Sequence, residues 1–399
     1  MAKMDFMVIQ FNFIAVYRQR TFKVKTIMRY VENRAGFPAL SFGRRYDCMG
    51  GLFGIYCPPS SETTMRIGFL LLLLISGLFM ALPVSGDEGP LHVKNRFPLH
   101  LLFLTPRPVG PGLPAAGEFE ASAAVDYSAV YFQHQNREWD FLIDLEMTTF
   151  DLAVTWGLTQ QVALSVDLAL VNMGGGFLDG FLENYHDALG VSNYGREARP
   201  ENAFAYRAAR DEQVWLQGES NTWQLADAVA SAMIRIPAPA AMPAMSSALI
   251  PAVKLPLGDS ERGTGSGRWD AGLYWTAVFE FAPWAIYMMP GFALISDPRT
   301  DGPDVESRDS YSLLAGAAYR YDADWRWLVQ LNGYTSPLQR TGINQLDNGA
   351  VELAFGFHYR LKPNWRVEFA FCEDLTRAAP DFTVHLGVIW NYERKGGPE

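Results

Sequence analysis

From residue 118 onward, apolar and polar positions alternate with a period of two, in segments ended by turn residues. The clearest lie near the end of the chain. In 351–361, Val351, Leu353, Phe355, Phe357, Tyr359 and Leu361 share one face, and Glu352, Ala354, Gly356, His358 and Arg360 the other. Trp365, Val367, Phe369 and Phe371 oppose Arg366, Glu368, Ala370 and Cys372; Phe382 through Tyr392 oppose Thr383, His385, Gly387, Ile389 and Asn391. Earlier, Phe119, Ala121, Ala123, Val125, Tyr127, Ala129 and Tyr131 oppose Glu120, Ser122, Asp126 and Ser128. Phe141, Ile143, Leu145 and Met147 oppose Asp144 and Glu146, after which the apolar phase slips by one near Thr149 so that Phe150, Leu152, Val154 and Trp156 align. The slip predicts a β-bulge. Further strands are expected in 160–172, 203–217, 222–236, 246–257, 267–282, 284–296, 309–322 and 325–336.

These make about thirteen segments, and closed outer-membrane barrels use even numbers. The expectation is an all-β fold, a transmembrane antiparallel β-barrel of about 12 strands over 118–392. A soluble β-sandwich alternates as well. The barrel is favoured by charges on the polar faces and by aromatics at strand ends, among them Trp139, Trp156, Trp269, Trp284, Trp325, Trp365 and Trp390. Aromatic rings favour the headgroup level of a bilayer.

One region breaks the alternation. Residues 174–191, GGGFLDGFLENYHDALGV, start with three glycines and place Phe177, Phe181, Leu182, Tyr185 and Leu189 at helical spacing. A short helix within a long loop or plug spanning 174–202 is expected. Residues 87–117 form an N-terminal extension to the barrel, and 393–399 a polar tail.

The start of the chain reads differently. From Met65 it runs MRIGFLLLLLISGLFMALPVSGDEGP: one positive charge, Arg66, an apolar run from Ile67 to Leu82, the breaker Pro83, then Val84, Ser85 and Gly86. That order is expected of a secretory signal over 65–86, cleaved after Gly86. The apolar run is about 16 residues, short of the roughly 20 a spanning helix needs, although a retained anchor is the alternative. Residues 1–64 are basic, without sustained period 2 or 3.6, and read as a non-native upstream extension.

Composition sharpens the picture. Mean hydropathy is −0.02, aromatics are 14% and charged residues 19% of the chain, which excludes a polytopic helical membrane protein but not a barrel. Residues 87–399 carry 23 basic and 39 acidic side chains. That balance disfavours a nucleic-acid partner, which needs a basic face. Of the three cysteines, Cys48, Cys57 and Cys372, only the last follows the signal, so neither an internal disulfide nor a metal cluster is expected. No phosphate loop, nucleotide fold or haem motif is present, and no cofactor is expected.

KLPLGDSERGTGSGRWDAGLYW at 254–275 resembles the strand–loop–strand motif of outer-membrane barrels related to fatty-acid and aromatic-hydrocarbon channels. Together with GGGFLDGFLENYHDALG and the terminal FTVHLGVIW, it resembles a bacterial family of unknown function whose members are described as outer-membrane proteins. The resemblance covers roughly 90–392 and implies fold and a Gram-negative outer-membrane address, with no catalytic or binding residues.

With apolar faces assigned to lipid, the lumen-lining candidates are Glu120, Asp126, Asp144, Glu146, Arg320, Arg326, Glu352, His358, Arg360, Arg366, Glu368 and His385. Closure sets the first strand beside the last, so acids and bases meet across the seam, as an ion-pair filling or as a polar track for a solute. The partners expected are outer-membrane lipid and a small solute. A channel or transporter is the leading function, and a structural or docking barrel the alternative. A hydrolase would need a nucleophile beside a base; His134 and His186–Asp187 are the nearest candidates, and neither G-x-S-x-G nor H-E-x-x-H occurs. No enzymatic activity is expected.

Overall fold

A computed structural model describes residues 89–190 and 192–393. The expected signal, the 1–64 extension and most of the polar tail lie outside the described residues.

Fifteen strands form one antiparallel sheet. They are β1 (Phe119–Gln135), β2 (Trp139–Gly157), β3 (Val162–Gly174), β4 (Ala205–Arg210), β5 (Gln213–Gln217), β6 (Gln224–Leu225), β7 (Ala228–Ile236), β8 (Met245–Leu255), β9 (Asp270–Phe281), β10 (Trp284–Leu294), β11 (Ser310–Arg320), β12 (Trp325–Tyr334), β13 (Ala350–Lys362), β14 (Trp365–Asp374) and β15 (Phe382–Tyr392). Two helices, α1 (Asp179–Leu189) and α2 (Asn344–Asp347), interrupt them. Neighbours in sequence pair in turn from β7 to β15; β15 pairs with β1, β1 with β2, β2 with β3 and β3 with β7. The ring therefore closes with twelve strands. The thirteenth alternating segment, 203–217, is not part of it: β4 pairs with the far half of β2 and β5 with β4, extending the wall beyond the ring.

The outward faces are apolar. Leu152, Val154, Leu164, Val166, Leu313, Phe355 and Leu386 stand exposed along them. At the end carrying the short turns 158–161, 282–283, 321–324 and 363–364, aromatics pack side by side. Phe119 stacks on Tyr392, Trp365 on Trp390, and Trp325 meets Tyr359. An apolar band edged by such a girdle is how a transmembrane barrel meets a bilayer. Trp139 is no part of a girdle: it is buried inside, stacked on Phe141 at 5.1 Å.

No bulge exists at Thr149. β1 and β2 keep one register from Phe119↔Trp156 to Gln135↔Asp140, so alternate residues of β2 from Trp139 to Thr155 all face inward. Phe141, Ile143, Leu145 and Met147 are therefore interior, not lipid-facing. The phase change in the sequence marks a change in what fills the lumen, apolar at the long-loop end and polar below.

Eight strands close around an interior that their own side chains fill, whereas twelve leave room. The 89–117 segment occupies it. Its 3-10 turn, Pro98–Leu102, belongs to one buried apolar cluster with Val130, Phe132, Phe141, Ile143 and Leu145, Phe97 meeting Phe132 edge-on at 5.8 Å.

α1 lies on the opposite side of the wall. Leu182 is buried against Ala129 and Phe382, with Phe371 and Val384 adjoining, all on the outward faces of β1, β14 and β15. The 175–202 loop thus clads the outside of the barrel near its long-loop end, and the segment inside the lumen is 89–117.

Candidate functional site

Proline shapes the segment inside the lumen. Residues 90, 98, 106, 108, 111 and 114 are prolines; lacking an N–H, they cannot donate to a sheet ladder, and a run of them disfavours strand pairing. The chain is held instead by wall side chains, unevenly along its length.

The first half is tied tightly. Gln330 of β12 both accepts from Leu91 N (3.0 Å) and donates to Leu91 O (3.1 Å). His92 N donates to Glu368 Oε1 at 2.8 Å. Arg96 is the central tie: its guanidinium donates to Asp126 Oδ2 (2.6 Å from Nε) and also to Asp151, while Lys94 Nζ lies 3.5 Å from Asp151. Behind Asp126, His385 Nδ1 stands 2.5 Å from Oδ1, and its Nε2 lies 2.9 Å from Glu368. Glu368 also meets His358 Nε2 at 2.7 Å and His92 Nδ1 at 3.2 Å. Three carboxylates, two fixed cations and three imidazoles form one network across the β1/β15 seam.

A second tie uses the 254–275 motif. Lys254 Nζ donates to Asp227 Oδ2 (2.6 Å), Ser266 Oγ (2.6 Å) and the carbonyl of Leu102 (2.8 Å). Asp270 accepts from Leu104 N at 3.0 Å. Lys254 and Asp270, paired across the motif's loop, thus grip the segment where it leaves the 3-10 turn. Removing one member of a buried ion pair costs about 3–5 kcal/mol, because its partner is stranded. Lys254→Met is expected to lower the resistance of the folded barrel to urea by that order. An unchanged urea midpoint would mean Asp227 and Asp270 do not depend on Lys254.

The second half is loose. Between Thr105 and Pro114, the wall contacts include Thr276 Oγ1 donating to Val109 O at 2.6 Å and Arg107 Nε 3.0 Å from Asp167. Small gaps separate this stretch from β7–β12, lined by Tyr274, Met289, Ile250, Met233 and Tyr334 among others. Toward the short-turn end they give onto a vestibule of about 940 Å³. Arg107, Glu118, Glu120, Arg360, Lys362 and Arg366 line it.

The sequence-derived candidates divide accordingly. Asp126, His358, Glu368 and His385 meet in the network; Glu120, Arg360 and Arg366 border the vestibule. Arg326 is buried, its Nη1 3.2 Å from Tyr287 Oη, and Arg320 stands opposite it in the β11–β12 register. Glu352 is buried opposite Asn332.

Asp144 and Glu146 are corrections. The unbroken β2 register turns both outward, where the 175–202 loop covers them. Asp144 pairs with Arg199, and Glu146 accepts from Phe177 N (2.9 Å), Leu178 N (2.6 Å) and the Tyr127 hydroxyl. Sequence reasoning missed His92, Lys94, Arg96 and Asp151. A signal for them existed: Lys94, Arg96 and Arg107 are basic residues in a proline-rich stretch just ahead of an acidic first strand.

His186 Nδ1 lies 3.0 Å from Asn193 Oδ1, tying the end of α1 to the loop that follows it. Among the described residues no group of three or more His, Cys, Asp or Glu is placed to hold a metal ion.

Among solved structures, the COG4313 outer membrane channel from Pseudomonas putida F1 is similar at 14% identity and a TM-score of 0.46, over 70% of this chain and 97% of that one. The NanC porin is similar at 9% identity and a TM-score of 0.39, over 68% and 98%. The P. putida toluene transporter TodX is similar at 10% identity and a TM-score of 0.34, over 71% and 91%. No curated protein matches the sequence. A family model described as "Protein of unknown function (DUF3187)" matches residues 70–392, and the chain belongs to that family.

Proposed function

We propose that the protein is a channel for small solutes in the outer membrane of a Gram-negative bacterium, closed at rest by its own 89–117 segment. The observation that carries this reading is the uneven anchoring of that segment. Residues 91–104 are held by buried charges and amides of the wall, whereas the proline-rich 105–114 stretch rests on few bonds beside a vestibule of about 940 Å³. A lumen filled only for stability gains nothing from a stretch so weakly bound. Solute passes between this stretch and the β7–β12 wall, where the lining is largely apolar with isolated polar atoms such as Tyr274 Oη. Short turns mark the periplasmic end of a barrel and long loops the external end, so the vestibule opens toward the periplasm.

Planar-bilayer conductance tests the proposal. In a Val109→Cys, Thr276→Cys protein, a short thiol crosslinker fastens the loose stretch to β9. The unlinked protein is expected to open in brief events as the stretch leaves the wall, and the linked protein to fall silent. A protein that never conducts, or one whose conductance ignores the link, would count against a channel and favour a structural barrel.

A further inference from the structure

Outside the lumen, α1 presents two faces of different character along its length. Its inner face seats Leu182, 1% exposed, against Ala129 and Phe382 of the wall. Phe177, just ahead of the helix, and Phe181 on its outer face are 70% and 62% exposed, and the outer face continues with the exposed Asn184 and Asp187. The apolar end leans down the barrel: Phe177 meets the ring of Tyr127 at 5.6 Å. Phe181 stacks on Tyr185, the centroids 6.1 Å apart.

Height along the wall says what that end touches. Tyr127 lies eight residues along β1 from Phe119, a member of the aromatic girdle. At about 3.3 Å per residue and a strand tilt near 40°, Tyr127 stands roughly 20 Å above the girdle. The apolar band of such a barrel is about 25 Å tall. Phe177 therefore falls within the band, Leu182 at its rim and the polar end of α1 above it. The outward face of β1 is continuous with this patch through Val125 and Tyr127. An exposed aromatic pair on a helix in water carries an unfavourable hydration cost; at this height the same pair is surrounded by hydrocarbon.

We infer that α1 is an interfacial membrane helix inclined to the bilayer, its start, with Phe177 just ahead of it and Phe181 in its first turns, buried among the acyl chains of the outer leaflet and its Asn184–Asp187 part in the headgroup water. The inference rests on the barrel spanning a membrane, not on its conducting a solute. Helices of this kind lie at an interface by burying one apolar face a few ångströms into the acyl boundary. Here the wall supplies the second support, so that the loop rides on the lipid and the barrel together.

Nitroxide labels at single cysteines read the outcome, in the full chain with Cys48, Cys57 and Cys372 replaced by alanine and reconstituted in phospholipid vesicles. The sites are Phe177→Cys, Phe181→Cys, Asn184→Cys and, on the outward face of β15, Leu386→Cys. Labels at 177, 181 and 386 are expected to collide more with oxygen than with a water-soluble nickel chelate, and the label at 184 to show the reverse. Residues 177, 181 and 184 are exposed, so the labels keep the buried seat of Leu182 on the wall and give up only ring contacts with Tyr127 and Tyr185 and the Asn184 bond to Gly180 O. Water-like behaviour at 177 and 181 with lipid-like behaviour at 386 would overturn the inference alone. Water-like behaviour at 386 would overturn the membrane-spanning barrel, and this inference with it.

Discussion

Arg96→Ala is expected to open the lumen and to weaken the barrel at once. The guanidinium is buried and joins Asp126 to Asp151 on adjacent strands. Losing it leaves Asp126 with His385 alone and Asp151 with the more distant Lys94, in a lumen shared with Glu368. The cost of leaving a buried ion pair half-made is about 3–5 kcal/mol, and it is relieved only if water enters. Water enters where the segment leaves the wall, so loss of stability and rise of conductance share one cause. Urea unfolding in detergent or vesicles reads the first and planar-bilayer current the second.

Two companion variants separate charge from closure. Arg96→Lys keeps the charge but not the planar fork that spans both carboxylates, and is expected to fall between wild type and alanine in both measurements. Arg96→Ala with Asp126→Asn removes one of the two carboxylates that lose the guanidinium. It is expected to recover part of the stability while remaining more conductive than wild type, because the segment still lacks its central tie. If the alanine variant loses stability without gaining current, the first half of the segment stays in place by other bonds, and Arg96 is a structural ion pair only. The two effects are coupled through one site, so the double variant is not expected to be additive.

The strands that were legible from sequence are those whose lumen face is polar. In β13, β14 and β15 the inward residues include His358, Glu368 and His385, and the outward ones Phe355, Phe369 and Leu386, so an apolar-means-lipid rule sorts them correctly. The rule fails in β2 for a physical reason. It assumes a watery lumen, but near the long loops the lumen holds Phe97, Leu99 and Leu102 of the inserted segment. Phe141, Ile143 and Leu145 turn in to meet them, which leaves Asp144 and Glu146 facing out. A chain read by periodicity alone offers a bulge as the explanation; the paired register offers an occupied lumen. The occupant escaped notice because a proline-rich stretch has neither helical nor strand period. Its recognition depends on bonds to residues up to 283 positions away, as between Asn95 and Ala378, and no local pattern encodes them. Even strand numbers pointed to twelve, which is the number in the ring, but not to which of the thirteen segments is surplus: 203–217 alternates because β4 and β5 are true strands, and only the pairing of β2 with β3 shows that the ring closes without them.

Glu146→Ala is expected to free the 175–202 loop from the wall while leaving the barrel closed. The carboxylate faces out of β2 and receives Phe177 N, Leu178 N and the Tyr127 hydroxyl, the amides being those that lead into α1. An acidic group at the start of a helix is favoured by the helix dipole and by the unpaired amides there. Each hydrogen bond to a charged group contributes about 1.5–3 kcal/mol, so losing this carboxylate removes most of what fixes the entry to α1. The loop's other ties, Arg196 to Asp179 and Asp381 and Arg199 to Asp144, hold its far side. Burial raises the Asp381 carboxyl above its ordinary range, with the neighbouring Arg196 drawing it back down, so that side alone is a weak clamp in mild acid. Hydrogen exchange at the amides of Phe177 and Leu178 is expected to accelerate, and trypsin to gain access at Arg196; Arg199 precedes Pro200 and is no trypsin site. Barrel unfolding should shift little, because the β1–β2 ladder runs through position 146 on backbone bonds. Gly176→Ala provides an independent route to the same state: Gly176 has φ of +70° and its missing Cβ faces the Glu146 carboxylate, so a methyl group pushes the loop off the same contact. Protection at 177 and 178 unchanged in both variants would mean that the lipid beneath Phe177 and Phe181, rather than Glu146, holds α1 in place.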